Sequence, residues 1–277
     1  MKLSIITVNL NNRNGLQKTI DSVVSQTFRD FEWIVIDGGS TDGSRELIEH
    51  YADHFAYWVS EPDKGVFNAM NKGIKVAKGD YLQFLNSGDW LYNQNALERC
   101  FSHIFDADVV YGDMGICSSN TIRIRKYLPK LSFNYLLGYS LGHCATFHKR
   151  EILQEELYDE KLKMVADWKF YLIQALKNRK FEHLDETVSC FDTSGISSTS
   201  GYKVIAERDN VIKELMIPES ILNDCRFMDE MEKKLQLNQD RVRQVIEYSE
   251  KRKLYRKMIT GCLRFIEFVE RLTNQHG

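Results

Sequence analysis

The strongest constraint on this chain is an alternation that runs through its first hundred residues. KLSIITV (2–8), FEWIVID (31–37), YWVSEP (57–62) and DYLQFLN (80–86) are short apolar runs that read as strands. Between them, GLQKTIDSVVSQ (15–26) sets Leu16, Ile20, Val23 and Val24 at helical spacing. SRELIEHYADHF (44–55) and VFNAMNKGIKVAKG (66–79) read as two further helices, the second stopped by Gly79 as a C-cap. Strand alternating with helix predicts βαβ units: an α/β fold with a mostly parallel, Rossmann-like central sheet flanked by helices. In such sheets the ligand crevice lies at the carboxyl ends of the strands.

Polar clusters stand at those ends. VIDGGSTDGS (35–44) holds two acids, three glycines and three hydroxyl residues directly after an apolar run. Two readings fit it: a tight turn with Ser40 or Asp42 capping a helix that starts near Arg45, or a loop brought close to a ligand. FLNSGDW (84–90) places Asn86 and Asp89 where a buried strand emerges. It reads as a turn, or as a thin cation site that a diphosphate would complete, since Mg²⁺ often takes one or two carboxylates plus substrate phosphates. MVADWKFYLIQAL (164–176) carries Trp168, Tyr171, Leu172, Ala175 and Leu176 at helical spacing, with Asp167 at the helix start. Asp167 is either a capping carboxylate or an ionised general base.

Several function classes drop out. The first strand is followed by NLNNRNG, with a single glycine, so neither a G-x-G-x-x-G fingerprint nor a P-loop is present. DGGSTDGS faintly resembles a calcium loop but lacks the EF-hand spacing and its terminal Glu. The formal net charge of -2 gives no global basic field for nucleic acid. The six cysteines are scattered with no C-x-x-C pair, which fits a reducing cytoplasm and suggests neither a zinc site nor a redox motif. The apolar run near the N-terminus is too short for a signal peptide. No stretch approaches the ~18 apolar residues of a membrane span. There is no internal repeat.

Three segments in order resemble a family 2 glycosyltransferase of the GT-A fold: SIITVNLNNRNGLQKTIDSVVSQTFRDFEWIVIDGGSTDGS, then EPDKGVFNAMNKGIKVAKGDYLQFLNSGD, then GHCATFHKREIL with YDEKLKMVADWKFYL. The likeness covers roughly residues 3–200 and is greatest to the bacterial branch that builds O-antigen, capsule and exopolysaccharide repeats. It implies that Thr7, Val8, Asn9 and Asp37 lie at the donor nucleotide, with Asp63 and Asn86 also on the donor side. It implies that Asp89 is the ligand for a Mn or Mg divalent cation, that Asp167 activates the acceptor, and that His143 and Trp168 lie on the acceptor side. The expected partners are a nucleotide-sugar donor, with UDP first in line, and a saccharide or lipid-linked saccharide acceptor.

Two departures from the family pattern stand out. Many relatives carry a second Asp after the one matching Asp37, and it contacts the nucleotide base; Gly38 stands there in this chain. The metal motif has lost its middle acid to Gly88. The implied reaction is inversion at the anomeric carbon through an oxocarbenium-like transition state. A sugar nucleotidyltransferase would bring a Gly-rich, basic N-terminal segment, which NLNNRNG matches poorly. An inactive scaffold would have no need to retain both Asp89 and Asp167.

Residues 1–216 are expected to form the catalytic domain and 217–277 a helical C-terminal extension. From PESILND onward there is no glycine until Gly261. In the last expected helix, Tyr255, Met258, Ile259, Cys262, Phe265, Ile266, Val269 and Leu272 form an apolar stripe behind Lys251, Arg252, Lys253, Arg256 and Lys257. Such a helix packs on protein or lies peripherally on the cytoplasmic face of an anionic membrane.

Overall fold

The computed structural model describes residues 1–103, 105–118, 121–193, 201–227 and 230. The chain divides into two compact units, Met1–Met216 and Ile217–Gly277. The stripe and basic cluster of the expected last helix lie outside the described residues. Among the described residues, no helix is long and apolar enough to cross a membrane.

The first unit is built on one sheet. Its parallel block contains β1 (Leu3–Asn9), β2 (Phe31–Asp37), β3 (Tyr57–Ser60) and β4 (Tyr81–Phe84), in the spatial order β3-β2-β1-β4. All seven residues of β1 are buried, because it has a strand on either side and helices over the sheet. That is why it reads as a continuous apolar run rather than an alternating one. The connections are α1 (Arg13–Val24), α2 (Ser44–His50) and α3 (Val66–Val76). The alternation read from the sequence is therefore the alternation of the fold.

The sheet continues from β4 through β8 (Thr146–Lys149) and β6 (Val109–Ser118) to β9 (Phe181–Asp192) and the short β5 (Trp90–Leu91), with β7 (Thr121–Arg125) paired to β6. Here β4–β8 and β6–β8 are antiparallel, while β6–β9 is parallel. The remaining helices are α4 (Ala96–Phe101), α5 (Phe133–Gly138), α6 (Arg150–Glu155), α7 (Ala166–Leu176) and α8 (Gly201–Glu214).

Gly79 does not cap α3, which ends at Val76 with extended Ala77 as its cap residue. A Cβ at Gly79 would stand 2.5 Å from the Leu3 carbonyl carbon and the Ser4 nitrogen. Glycine is needed there for close approach to β1, not to end a helix. The cap residue of α2 is Gly43, not Ser40 or Asp42, and no side chain caps it; Asp42, just before it, accepts at Oδ1 from Ser44 N at 3.1 Å and Ser44 Oγ at 2.6 Å. Its other oxygen accepts from Arg13 N at 2.8 Å, at the start of α1, so one carboxylate serves two helix starts.

Candidate active site

Register brings the first polar cluster together. Asn9 is paired with Asp37 at the carboxyl edge of β1 and β2. Asn9 Nδ2 donates to Asp37 Oδ1 at 2.7 Å. Asp37 also accepts from Ser40 Oγ (2.6 Å), Ser60 Oγ (2.6 Å), Ser40 N (2.9 Å) and Gly39 N (3.2 Å). Burial pushes the Asp37 carboxyl up, but the bonds from Ser40, Ser60 and Asn9 outweigh it and hold it below the ordinary carboxylate value. Asp37 is thus the hub that shapes the loop, with both oxygens engaged by protein. Thr7 is fully buried, and its Oγ1 accepts from Trp33 Nε1 at 3.0 Å. Val8 is buried, and its carbonyl accepts from Ser87 N at 3.0 Å. Both stand at the crevice edge with their side chains packed into protein.

Asp63 takes up one of the departures. A Cβ at Gly38 would lie 2.6 Å from Asp63 Oδ2. The carboxylate of the 57–65 segment therefore fills the place where a side chain at 38 would begin.

The acidic loop is a tight turn. Asp89 N donates to the Asn86 carbonyl at 2.9 Å, and Gly88 has φ +106°, a left-handed conformation that disfavours any L side chain. Thr19, on α1, fixes the turn: its Oγ1 donates to the Asp89 carbonyl at 2.7 Å and accepts from Gly88 N at 3.0 Å. Asp89 is 4% exposed. The turn reading of NSGD holds.

His143 joins this loop to α7. Its Nε2 lies 3.7 Å from Asp89 Oδ2 and 3.0 Å from Asn86 Nδ2, and its Nδ1 lies 3.9 Å from Asp167 Oδ2. Burial alone would lower the imidazole pKa. The two carboxylates, Asp167 and Asp89, outweigh burial and raise it to about 9, so the ring is a cation at neutral pH. Asp167 sits in the first turn of α7, where Oδ1 accepts from Trp168 N at 2.8 Å. Its other oxygen faces His143.

Trp168 does not face an acceptor. It is 1% exposed, its Nε1 donates to the Leu136 carbonyl at 2.6 Å, and Arg208 lies over its ring at 4.6 Å. The residue after an inward-facing first-turn acid points elsewhere on the helix, and here that direction is the core. Trp168 holds α7 in place.

The donor set for a cation is oxygen-rich but small. Asn9 Oδ1 is buried with no hydrogen-bond partner among the described residues. The Asn86 amide meets His143 Nε2 at 3.0 Å, where a protonated ring donates and the amide oxygen is the group that accepts. Among the described residues, no group of three or more His, Cys, Asp or Glu converges as a metal cage. One carboxylate, Asp89, with the neighbouring Asn86 amide suits a hard cation whose other positions go to a diphosphate.

Other contributors have no motif. Asn71, buried on α3, donates from Nδ2 to the Tyr158 carbonyl at 2.9 Å and to Glu160 Oε1 at 3.0 Å, and accepts from Tyr158 N at 3.0 Å. Glu207, on α8, accepts from Lys163 N and Met164 N at 2.9 Å each. Together they hold the strap that leads into Asp167. Asp192, at the end of β9, donates its N–H to Asp89 Oδ1 at 3.1 Å across 103 residues.

Polar side chains at the ends of parallel strands, an acidic turn and a helix-start acid thus stand around one imidazole, on a mostly parallel α/β sheet of the GT-A kind. The family model described as Glycosyl transferase family 2 matches residues 4–157, and the chain belongs to that family. A protein named as an uncharacterized glycosyltransferase of Mycobacterium tuberculosis is 33% identical over 206 residues, covering 71% of this chain and 77% of that one. A PGL/p-HBAD biosynthesis glycosyltransferase of Mycobacterium bovis is 33% identical over 175 residues, covering 60% and 67%. Among solved structures, Staphylococcus aureus TarS 1-349 in complex with UDP-GlcNAc superposes with TM-score 0.61 at 21% identity, covering 73% of this chain and 62% of that one. A Pyrobaculum calidifontis mannosyltransferase in complex with GDP-Man and Mn2+ gives TM-score 0.54 at 16% identity, covering 69% and 56%. This chain thus spans less than two thirds of those solved chains, and at these identities they show the fold.

Proposed function

We propose that this chain is an inverting glycosyltransferase that moves a sugar from a nucleotide-sugar donor, UDP-linked first in line, to a hydroxyl of a saccharide or lipid-linked saccharide. The observation that carries the reading is His143 standing between Asp89 and Asp167, at 3.7 Å and 3.9 Å. The donor end and the acceptor end of the site are one side chain apart. Asp89, with Asn86, would hold a Mn or Mg ion, which when bound neutralises charge on the departing diphosphate. The loop organised by Asp37 and Asn9 presents its backbone to the nucleotide, and Asp63 takes the base contact that a side chain at 38 makes in many relatives. On the opposite face of the anomeric carbon, Asp167 accepts the proton of the attacking hydroxyl.

The placement of the acceptor in surface-polysaccharide synthesis rests on the resemblance of the opening motifs to the O-antigen, capsule and exopolysaccharide branch. The name of the M. bovis relative offers PGL/p-HBAD biosynthesis as a second setting. The cytoplasmic and peripheral-membrane expectations rest on cysteine usage and on the C-terminal stripe.

The test is nucleotide release from UDP-, GDP- and dTDP-sugars, with and without saccharide acceptors. Acceptor-dependent release of nucleoside diphosphate is expected from one donor class. Pyrophosphate release from a nucleoside triphosphate and a sugar phosphate would instead establish a nucleotidyltransferase.

A further inference from the structure

Asp167 lies in the first turn of a helix that lacks a side-chain cap: Val165, at the cap position of α7, makes no such bond. The turn is gripped from outside instead, by two consecutive residues of α8. Glu207 accepts from Lys163 N and Met164 N at 2.9 Å each, on the approach to Asp167. Arg208 grips the far side. Its guanidinium lies over the Trp168 ring at 4.6 Å, and its Nη1 donates to the Gly138 carbonyl at 2.9 Å. Trp168 Nε1 reaches the same helix, α5, at the Leu136 carbonyl. The residue after Asp167 is thus held by α5 at its indole edge and by Arg208 on its face.

Packing alone does not account for an arginine there. Its Nε is buried with no hydrogen-bond partner among the described residues. An apolar chain of similar length would cover Trp168 without that unpaired N–H. Burial pushes the guanidinium pKa down, and the charge that opposes burial is Asp167. What the guanidinium adds is therefore a positive charge toward Asp167, joining His143 at 3.9 Å. Other titratable groups that face Asp167 are neutral at pH 7. Burial holds His148 down to about 4, and it pushes the Tyr158 and Tyr171 hydroxyls up.

We propose that Arg208 is a positioning residue for Asp167, fixing the first turn of α7 through Trp168 and facing the carboxylate with a second cation. The proposal rests on the reading of Asp167 as the proton acceptor. A fixed positive charge favours a carboxylate in the anionic form that takes up a proton. The clamp on Trp168 keeps the carboxylate in place, where a shift of about 1 Å costs up to 10²-fold in rate.

The experiment is a double-mutant cycle read as acceptor-dependent release of nucleoside diphosphate, with whichever UDP-, GDP- or dTDP-sugar and saccharide acceptor gives it in the wild type. Arg208→Met keeps a chain over Trp168 and removes the charge. It is expected to lower kcat by about ten- to a hundredfold, with donor and acceptor KM unchanged. Arg208→Lys, which keeps the cation, is expected to recover most of that loss. In an Asp167→Asn background, Arg208→Met is expected to change the residual rate by less than about twofold, because two residues that act as a unit are not additive. Arg208→Gln takes the place of Arg208→Met should the latter fail to fold. Wild-type kcat in the folded variant, a loss that Arg208→Lys does not recover, or the same loss in both backgrounds overturns the role of Arg208 alone. A wild-type rate in Asp167→Asn itself, or no acceptor-dependent release from any of the donors, overturns the reading of Asp167 and this proposal with it.

Discussion

Replacing Asn71 with alanine tests whether α3 holds the strap that carries Asp167. Asn71 is 2% exposed and makes three bonds at 2.9–3.0 Å to Tyr158 and Glu160. Two of them satisfy the backbone N–H and C=O of Tyr158, a residue that is itself 3% exposed. Alanine leaves both groups buried and unpaired, at about 1–3 kcal/mol each. Glu160 loses little, because Asn68 Nδ2 still donates to it at 2.8 Å. The sum is about 3–4 kcal/mol, which for a domain of this size lowers Tm by roughly 10 °C. The functional effect follows the same path. Tyr158 lies nine residues before Asp167 (167 − 158), and a shift of about 1 Å at a catalytic group costs up to 10²-fold in rate. In calorimetry and a transfer assay, Asn71→Ala should lose stability and kcat while donor Kd changes little. Asn68→Ala should lose less than about 1 kcal/mol, the worth of one partly exposed bond. If the two variants melt together within 2 °C, the clamp does not carry the strap.

Asp167→Asn should lower transfer by about 10²–10⁴-fold with donor binding intact, because the amide keeps the shape and cannot accept the proton; near-wild-type turnover removes the assignment. Asp89→Ala should abolish metal-dependent donor binding, and chelation should inactivate the wild type; full activity in excess EDTA excludes the cation. Asp37 gives a pH signature in urea unfolding. Its folded pKa is depressed, so its stabilisation is present above the unfolded value of about 4 and is lost as pH falls through the lower folded value. The stability gap between wild type and Asp37→Asn should therefore be full at pH 7 and shrink below about pH 4; a constant gap refutes the hub. Gly38→Asp in an Asp63→Ala background should regain the nucleotide affinity that Asp63→Ala loses, as read by calorimetry with UDP; no recovery shows that the two positions are not interchangeable.

The sheet was legible because burial on both faces writes continuous apolar runs, and β1 to β4 are local enough to show their order. The polar turns after β2 and β4 were legible because their residue types serve both a turn and a ligand. What the sequence could not display is direction. Trp168 neighbours Asp167 in the chain but points into the core, and Asp37 is consumed by its own loop. Gly79 looked like a helix stop because a close approach to Leu3 and Ser4 leaves no mark in a single sequence. Contributions from distant segments were equally hidden. Asp192 meets Asp89 across 103 residues, Glu207 meets Lys163 across 44, and no spacing rule spans such distances.

The two glycines that depart from the family pattern are not equivalent, and the backbone says why. Gly38 has no left-handed φ, so a side chain is excluded there mainly by the Asp63 carboxylate already in its place. Gly88, at φ +106°, is excluded by its own backbone, whatever the neighbouring space. An acid at 38 needs one neighbour removed, whereas an acid at 88 needs the turn rebuilt, and with it the Thr19 anchor and the Asp89 contact to β9.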